Sequence, residues 1–197
     1  MITADEVDTL LFDVLGTVVD EAGSMRAELA AALDQVGEGQ QAEALAADWN
    51  RRVAALESAI RDGAPWRSAD DLNAEALEAL GRLAGRFAIV ALSNGNLSML
   101  ADMFAGGGLT WHCVLSGEMV RAYKPDPAVY RFAVNRLALD PRRTLMVAAH
   151  PWDLRAAATH RLRTAYIERA GEGTPEASDT FDLTSPDLAG LATRLLA

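Results

Sequence analysis

Five short apolar runs, four of them alternating with helix-like segments, restrict the fold of this chain more than any other feature. The runs are almost continuously apolar, as expected of strands that are covered on both faces of a sheet. They span 9–15, 87–92, 112–116, 144–149 and 164–168, and the helix-like segments span 96–105, 127–138, 153–161 and 185–196. This alternation predicts an α/β fold, in which a Rossmann-like parallel sheet of five strands carries helices on both faces.

The long interval between the first two runs has a helical pattern instead. Ser24 is suited to cap a first helix, a second spans about 40–61, and a third starts at Ser68. We therefore predict a core of residues 1–20 and 84–197 and a small helical cap inserted at 21–83. An insertion at this point would lie over the carboxyl end of the sheet. The segment 169–180 is predicted to be a polar surface loop.

Composition limits the classes of partner. A chain of 197 residues is long enough for one core with a small appendage. Its net charge of -10 and the lack of clustered Lys and Arg argue against nucleic acid and anionic membranes as partners. No apolar run is long enough to span a bilayer, and the acidic start does not resemble a signal peptide, so we expect a cytoplasmic protein. The single cysteine, Cys113, is expected to be a buried thiol.

Polar residues follow the predicted strands at positions where a parallel sheet binds ligands. Asp13, Ser93 and Asp153 come at or just after strand ends, and Lys124 follows the third strand by a loop. Each residue taken singly has an ordinary structural explanation, such as an aspartate that caps a turn. Their occurrence in one chain indicates a shared site.

Four ordered motifs carry a family resemblance. They are "FDVLGT" at 12–17, "LSNGN" at 92–96, "YKPDP" at 123–127 and "AAHPWD" at 148–153. The set resembles the haloacid dehalogenase superfamily, and within it the L-2-haloacid dehalogenase branch, over residues 6–20 and 86–170. The resemblance implies hydrolysis of small 2-haloalkanoic acids to 2-hydroxy acids through an aspartyl ester, without a cofactor or a metal.

The resemblance also assigns roles to individual residues. Asp13 would be the nucleophile, supported by Thr17, and Lys124 would pair with Asp13 and keep it ionised. Asp153 would orient Lys124 or the hydrolytic water. Tyr130 either lines the site or packs as a helix aromatic against the sheet. The remaining substrate contacts are assigned to Ser93 and Asn94, which would hold the substrate carboxylate, and to Leu15 and Trp152.

Leu15 separates two branches of the superfamily. Phosphatases of the superfamily carry a second aspartate at this position, which protonates the leaving alkoxide. A halide needs no proton donor, and an apolar side chain suits a dry pocket around a carbon–halogen bond. Leu15 therefore favours a dehalogenase over a phosphatase.

Two positions depart from the pattern of the dehalogenase branch. The family has a halide-binding arginine directly after a cap tryptophan, whereas here Asn50 follows Trp49. Either Asn50 itself binds the halide, or Arg52 binds it from the same helix, or the halide site is weakened. The structural alternative is that the arginines of this helix are simply exposed to solvent and have no role at the site. His150 replaces an asparagine associated with the hydrolytic water. It either positions or deprotonates that water, or is a structural histidine at a strand end.

The cap is also shorter than the family's, which leaves rival functions open. A reduced cap would admit water or larger substrates, and its exposed apolar faces would favour a homodimer. One rival is a magnesium-dependent hydrolase of phosphate esters. The other is a catalytically weak family member that acts in protein association.

Overall fold

A parallel sheet organises the described part of the chain. The computed structural model describes residues 2–18, 69–109, 111–169 and 172–197. Leu11 pairs with Val90 on one side and with Met146 on the other, which places the first strand inside the sheet. The strands are β1 (Thr9–Phe12), β2 (Ala88–Ser93), β3 (Cys113–Ser116), β4 (Thr144–Ala148), β5 (Arg163–Ile167) and β6 (Leu183–Ser185), in the order β3-β2-β1-β4-β5-β6. The predicted parallel α/β fold is confirmed.

The predicted count of five strands is wrong by one, because the described part contains a sixth. Leu183 and Ser185 of β6 are buried, Thr184 between them is exposed, and the strand pairs with β5. A three-residue strand with a single large apolar side chain has no run that distinguishes it from a loop. The helix expected from residue 185 accordingly begins later, where the side chain of Asp187 accepts a hydrogen bond from the backbone N–H of Gly190 at 2.6 Å.

Helices cover both faces of the sheet. They are α1 (Ala69–Ala84), α2 (Leu97–Gly107), α3 (Pro127–Arg136), α4 (Pro151–Thr159) and α5 (Leu188–Leu196). Because successive strand residues point to opposite faces, Leu10 and Phe12 pack with α1 and α5, whereas Leu11 packs with α3 and α4. The continuous apolar runs in the sequence reflect this double coverage.

Only the last part of the predicted cap lies among the described residues. Residues 69–83 belong to α1, whose Leu80 and Leu83 are buried in the core cluster together with Leu191 and Leu195 of α5. The earlier cap residues, 21–68, lie outside the described ranges, so the division into core and cap stays a prediction. Within the described residues, no helix combines the length and the apolar character needed to cross a membrane.

Candidate active site

Segments that are far apart in the sequence meet at the carboxyl end of the sheet. Asp13 directly follows β1, and its backbone N–H donates to the carbonyl oxygen of Val147 at 2.9 Å. His150 lies between β4 and α4, and Lys124 lies between β3 and α3. Parallel strands end at the same edge, so the topology itself brings these three side chains together.

Asp13 is buried and surrounded by hydrogen-bond donors. Its Oδ1 accepts from Nζ of Lys124 at 2.8 Å, and its Oδ2 accepts from Oγ1 of Thr17 at 2.7 Å and lies 2.7 Å from Nδ1 of His150. Burial alone would raise the pKa of Asp13, but the cation of Lys124 and the imidazole of His150 hold it at about 2. Asp13 is therefore ionised at neutral pH.

Lys124 bridges two buried carboxylates. Its Nζ lies 2.5 Å from Oδ2 of Asp153 in addition to its bond with Asp13. Burial disfavours the ammonium ion, but the two carboxylates outweigh burial and raise the pKa of Lys124. The ammonium group is thus fixed between Asp13 and Asp153.

Tyr130 completes this buried network from α3. Its hydroxyl donates to Oδ1 of Asp153 at 2.6 Å, and its ring is fully buried in the core on that face of the sheet. The ring thus packs on the sheet while the hydroxyl contacts Asp153, and the assignment of Tyr130 as a residue that lines the site stays a prediction. Burial is the main cause that raises the pKa of Tyr130, and the charge of Asp153 raises it further. Burial also raises the pKa of Asp153.

The turn after Asp13 is shaped by Gly16 and Thr17. Gly16 has a φ of +77°, a left-handed conformation that side chains with a Cβ rarely adopt. Beyond its bond to Asp13, Oγ1 of Thr17 accepts from the backbone N–H of Ala149 at 2.8 Å. This hydroxyl therefore ties the turn after β1 to the end of β4.

His150 contacts two carboxylates, one of which the sequence motifs do not indicate. Its Nε2 lies 3.0 Å from Oε2 of Glu172, on the opposite side of the ring from Asp13. Burial alone would lower the pKa of His150, but bonds to Asp13 and Glu172 raise it to about 10. Glu172 lies in the segment predicted to be a polar surface loop, yet its side chain is only 15% exposed. The one signal that could have identified it is its position just after β5, at the same edge of the sheet.

Ser93 and Asn94 make contacts within the protein at this edge. Both polar groups of the Asn94 side chain bind the backbone of Lys124: Oδ1 accepts from its N–H at 2.6 Å, and Nδ2 donates to its carbonyl at 3.2 Å. Oγ of the fully buried Ser93 accepts from the N–H of Gly95 at 3.0 Å. Asn94 therefore positions the lysine loop, and the assignment of both residues to the substrate carboxylate stays a prediction.

The predicted apolar and halide-binding residues are only partly described. Leu15 is half-buried, and Trp152 is 38% exposed with its ring centroid 5.4 Å from that of His150. Asn50 and Arg52 lie outside the described residues. The structure thus brings Trp152 to the same edge of the sheet as Asp13, whereas the halide-binding alternatives stay predictions.

The side chains around Asp13 suit an ammonium partner better than a metal ion. Both oxygens of Asp153 already accept hydrogen bonds, from Lys124 and Tyr130. Position 15 carries a leucine, whose side chain offers no ligand atom to a cation. In the ranges that the structure covers, no group of three or more His, Cys, Asp and Glu side chains has a metal-binding arrangement.

These features define a parallel α/β protein with a buried, ionised aspartate at the carboxyl end of an inner strand. The family model of haloacid dehalogenase-like hydrolases matches residues 7–161, and the chain belongs to this family. The family predicted from the four motifs is therefore confirmed.

Individual relatives include dehalogenases and a phosphatase. The chain is 37% identical to (S)-2-haloacid dehalogenase 1 of Pseudomonas sp. (strain CBS-3) over 99 residues, which are 48% of this chain and 43% of the relative. It is 34% identical to phosphoserine phosphatase of Thermus thermophilus over 120 residues, 58% of this chain and 47% of the relative. The matches thus span less than half the length of both relatives. The solved structure of a defluorinating L-2-haloacid dehalogenase superimposes with a TM-score of 0.72 at 29% identity, covering 97% of this chain and 96% of the other.

Proposed function

We propose that the chain hydrolyses small 2-haloalkanoic acids to 2-hydroxy acids, without a metal, through an ester formed on Asp13. The observation that carries this proposal is the buried carboxylate of Asp13 paired with Lys124 at 2.8 Å. This pair keeps the nucleophile ionised at neutral pH. The similarity to (S)-2-haloacid dehalogenase 1 supports the substrate class.

In the first step a carboxylate oxygen of Asp13 attacks the carbon that carries the halogen. A carbon–oxygen bond forms while the carbon–halogen bond breaks, and the halide leaves with the bonding electron pair. Leu15 offers no proton, and a halide requires none. Lys124 stays between Asp13 and Asp153 throughout, which limits the reorganisation of charge that the step demands.

In the second step water attacks the carbonyl carbon of the Asp13 ester. His150 supports this step by its position, since Nδ1 lies 2.7 Å from Oδ2 of Asp13 and is thus close to the carbon that water must reach. Hydrolysis returns the carboxylate and releases the 2-hydroxy acid. The substrate carboxylate is proposed to bind near Ser93 and Asn94, and the halide near Asn50 or Arg52.

A magnesium-dependent hydrolysis of phosphate esters is the second candidate. The similarity to a phosphoserine phosphatase favours it. Leu15 opposes it, because an alkoxide leaving group would lack the proton donor that this position supplies in the phosphatases.

Location and assembly are also proposals. We propose that the protein is cytoplasmic and forms a homodimer, in line with its net charge of -10 and with the apolar faces expected of the predicted cap. Sedimentation velocity on the purified chain tests the assembly directly, and a single monomeric species would contradict it.

Free halide release tests the proposed reaction. Chloroacetate, bromoacetate and both enantiomers of 2-chloropropionate are incubated with wild type, Asp13→Asn and the exposed control Asp102→Asn, with chelator present. We expect release by wild type and the control and none by Asp13→Asn. Absence of halide from wild type, together with magnesium-dependent phosphate release from phosphate esters, would favour the second candidate.

A further inference from the structure

One imidazole joins the proposed nucleophile to a second carboxylate. His150 lies between Oδ2 of Asp13 at 2.7 Å and Oε2 of Glu172 at 3.0 Å, one contact for each ring nitrogen. The side chains of His150 and Glu172 are each 15% exposed, so water screens this pair only partly.

The loop that carries Glu172 is closely packed against the site. A Cβ on Gly16 would lie 2.6 Å from the carboxyl carbon of Glu172, so the carboxylate rests on the turn that follows Asp13. A Cβ on Gly173 would lie 3.3 Å from the ring of Pro151, next to His150. The hydroxyl of Tyr166 donates to the carbonyl of Gly173 at 2.9 Å and fixes the loop to β5.

We propose that Glu172 is a positioning residue, which holds the Nε2–H of His150 so that Nδ1 faces the ester and accepts a proton from the hydrolytic water. This inference rests on the proposed function, because it concerns the second step of that reaction. It gives a role to a residue outside the four motifs.

The charge on Asp13 controls when His150 can act as a base. In the free enzyme both ring nitrogens carry protons, because Asp13 and Glu172 together raise the pKa of His150 to about 10 against the opposing effect of burial. Ester formation removes the negative charge of Asp13 and lowers this pKa. The Nδ1 proton is then released to solvent, while the Nε2 proton stays on the bond to Glu172.

The protons of the second step then balance. Nδ1 takes a proton from water as the oxygen of that water bonds to the carbonyl carbon of Asp13. The bond between this carbon and the oxygen of the 2-hydroxy acid breaks, and that oxygen receives the proton from Nδ1. The regenerated carboxylic acid of Asp13 returns its own proton to His150. One proton is released per turnover, as hydrolysis of a carbon–halogen bond requires.

The charged groups around His150 make Glu172 the controlling partner during this step. Among the described residues, Asp13 and Glu172 contact the ring, Lys124 binds the other oxygen of Asp13, and Arg169 donates to the carbonyl of Thr17 at 3.3 Å. Once Asp13 is esterified, Glu172 is the anion that remains in contact with the imidazole.

The experiment compares wild type, Glu172→Gln and Glu172→Asp, with Glu176→Gln as a matched control. Glu176 lies in the same loop, but its side chain is 68% exposed and pairs with Arg155 at 3.0 Å. For Glu172→Gln with bromoacetate we expect a normal first-turnover burst of halide, a fall in kcat of about 10- to 100-fold, and accumulation of the Asp13 ester in the intact-protein mass. The rising limb of kcat against pH should move to lower pH, because the anion that raises the pKa of His150 is lost. Glu172→Asp should recover part of kcat, and Glu176→Gln should match wild type.

The outcomes separate this inference from the proposed function. Normal kcat and no ester in Glu172→Gln, with wild type active, would refute the role of Glu172 and leave dehalogenation intact. Equal losses of burst and kcat, without ester, would also refute it, since they indicate general damage to the site. A wild type that releases no halide would overturn both the proposed function and this inference.

Discussion

His150 should make the protein lose stability in alkaline solution. In the folded state its pKa is raised from 6.5 to about 10 by Asp13 and Glu172, against burial. A raised pKa contributes stability that is fully present below pH 6.5 and is lost as the pH rises through 10. A rise in pKa from 6.5 to about 10 corresponds to on the order of 5 kcal/mol in the free energy of unfolding.

Urea unfolding from about pH 6 to about pH 10 measures this contribution in wild type and in His150→Asn. We expect the stability advantage of wild type over His150→Asn to shrink steadily across this range. His160→Asn is the matched control, because burial and then Arg131 lower the pKa of His160. Its contribution to stability therefore rises with pH around its ordinary value and then stays constant, which is opposite in sign to the change expected for His150.

A constant difference between wild type and His150→Asn over the same range would refute the reasoning. So would an NMR titration in which the His150 ring changes charge near its ordinary value. The three histidines of the chain make such a titration readily assignable with the two variants above.

Two further substitutions test the surroundings of Asp13. Lys124→Met leaves Asp13 and Asp153 buried without their cation and should cost about 3–5 kcal/mol of folding stability at neutral pH. Urea unfolding should show a smaller loss at acidic pH, where a carboxylate can accept a proton. An equal loss at neutral and acidic pH would contradict the pairing. Gly16→Ala introduces a Cβ at a φ of +77° and 2.6 Å from the Glu172 carboxyl carbon. The variant should lose about 1–2 kcal/mol of folding stability, measured by urea unfolding, and should accumulate the Asp13 ester as Glu172→Gln does, measured by intact-protein mass. Unchanged turnover would count against the coupling between the turn and Glu172.

The strands were predictable wherever both faces of the sheet are covered. β1, β2, β4 and β5 are almost continuously buried, and such burial requires the continuous apolar runs that the sequence shows. β3 has a similar run, although its first two residues are only partly buried. In β6 only Leu183 and Ser185 are buried, and so short an alternation resembles a loop. The described fold was therefore predictable except for β6, the outermost strand on its side of the sheet.

The grouping of side chains at the candidate site was predictable where short local motifs carry them. Asp13, Lys124 and His150 each follow a strand or belong to a turn with a recognisable pattern. Glu172 also comes after a strand, β5, but it belongs to no recognisable motif. Its side chain reaches the site through a contact with the turn at Gly16, which is far away in the sequence, and no local pattern encodes such a contact. Asn94 shows the opposite case, since its motif was evident but its bonds to the Lys124 backbone were not.

Among the described residues, the contacts that set the charge of Asp13 come from the sheet edge, at Thr17, Lys124 and His150. These three residues lie outside the interval 19–68. Among the residues that the structure describes, the donors that keep Asp13 ionised are therefore supplied by the segments that follow β1, β3 and β4. A longer segment grafted between residues 18 and 69 would leave these three side chains unchanged. Such a graft is consequently a way to alter substrate selectivity by protein engineering.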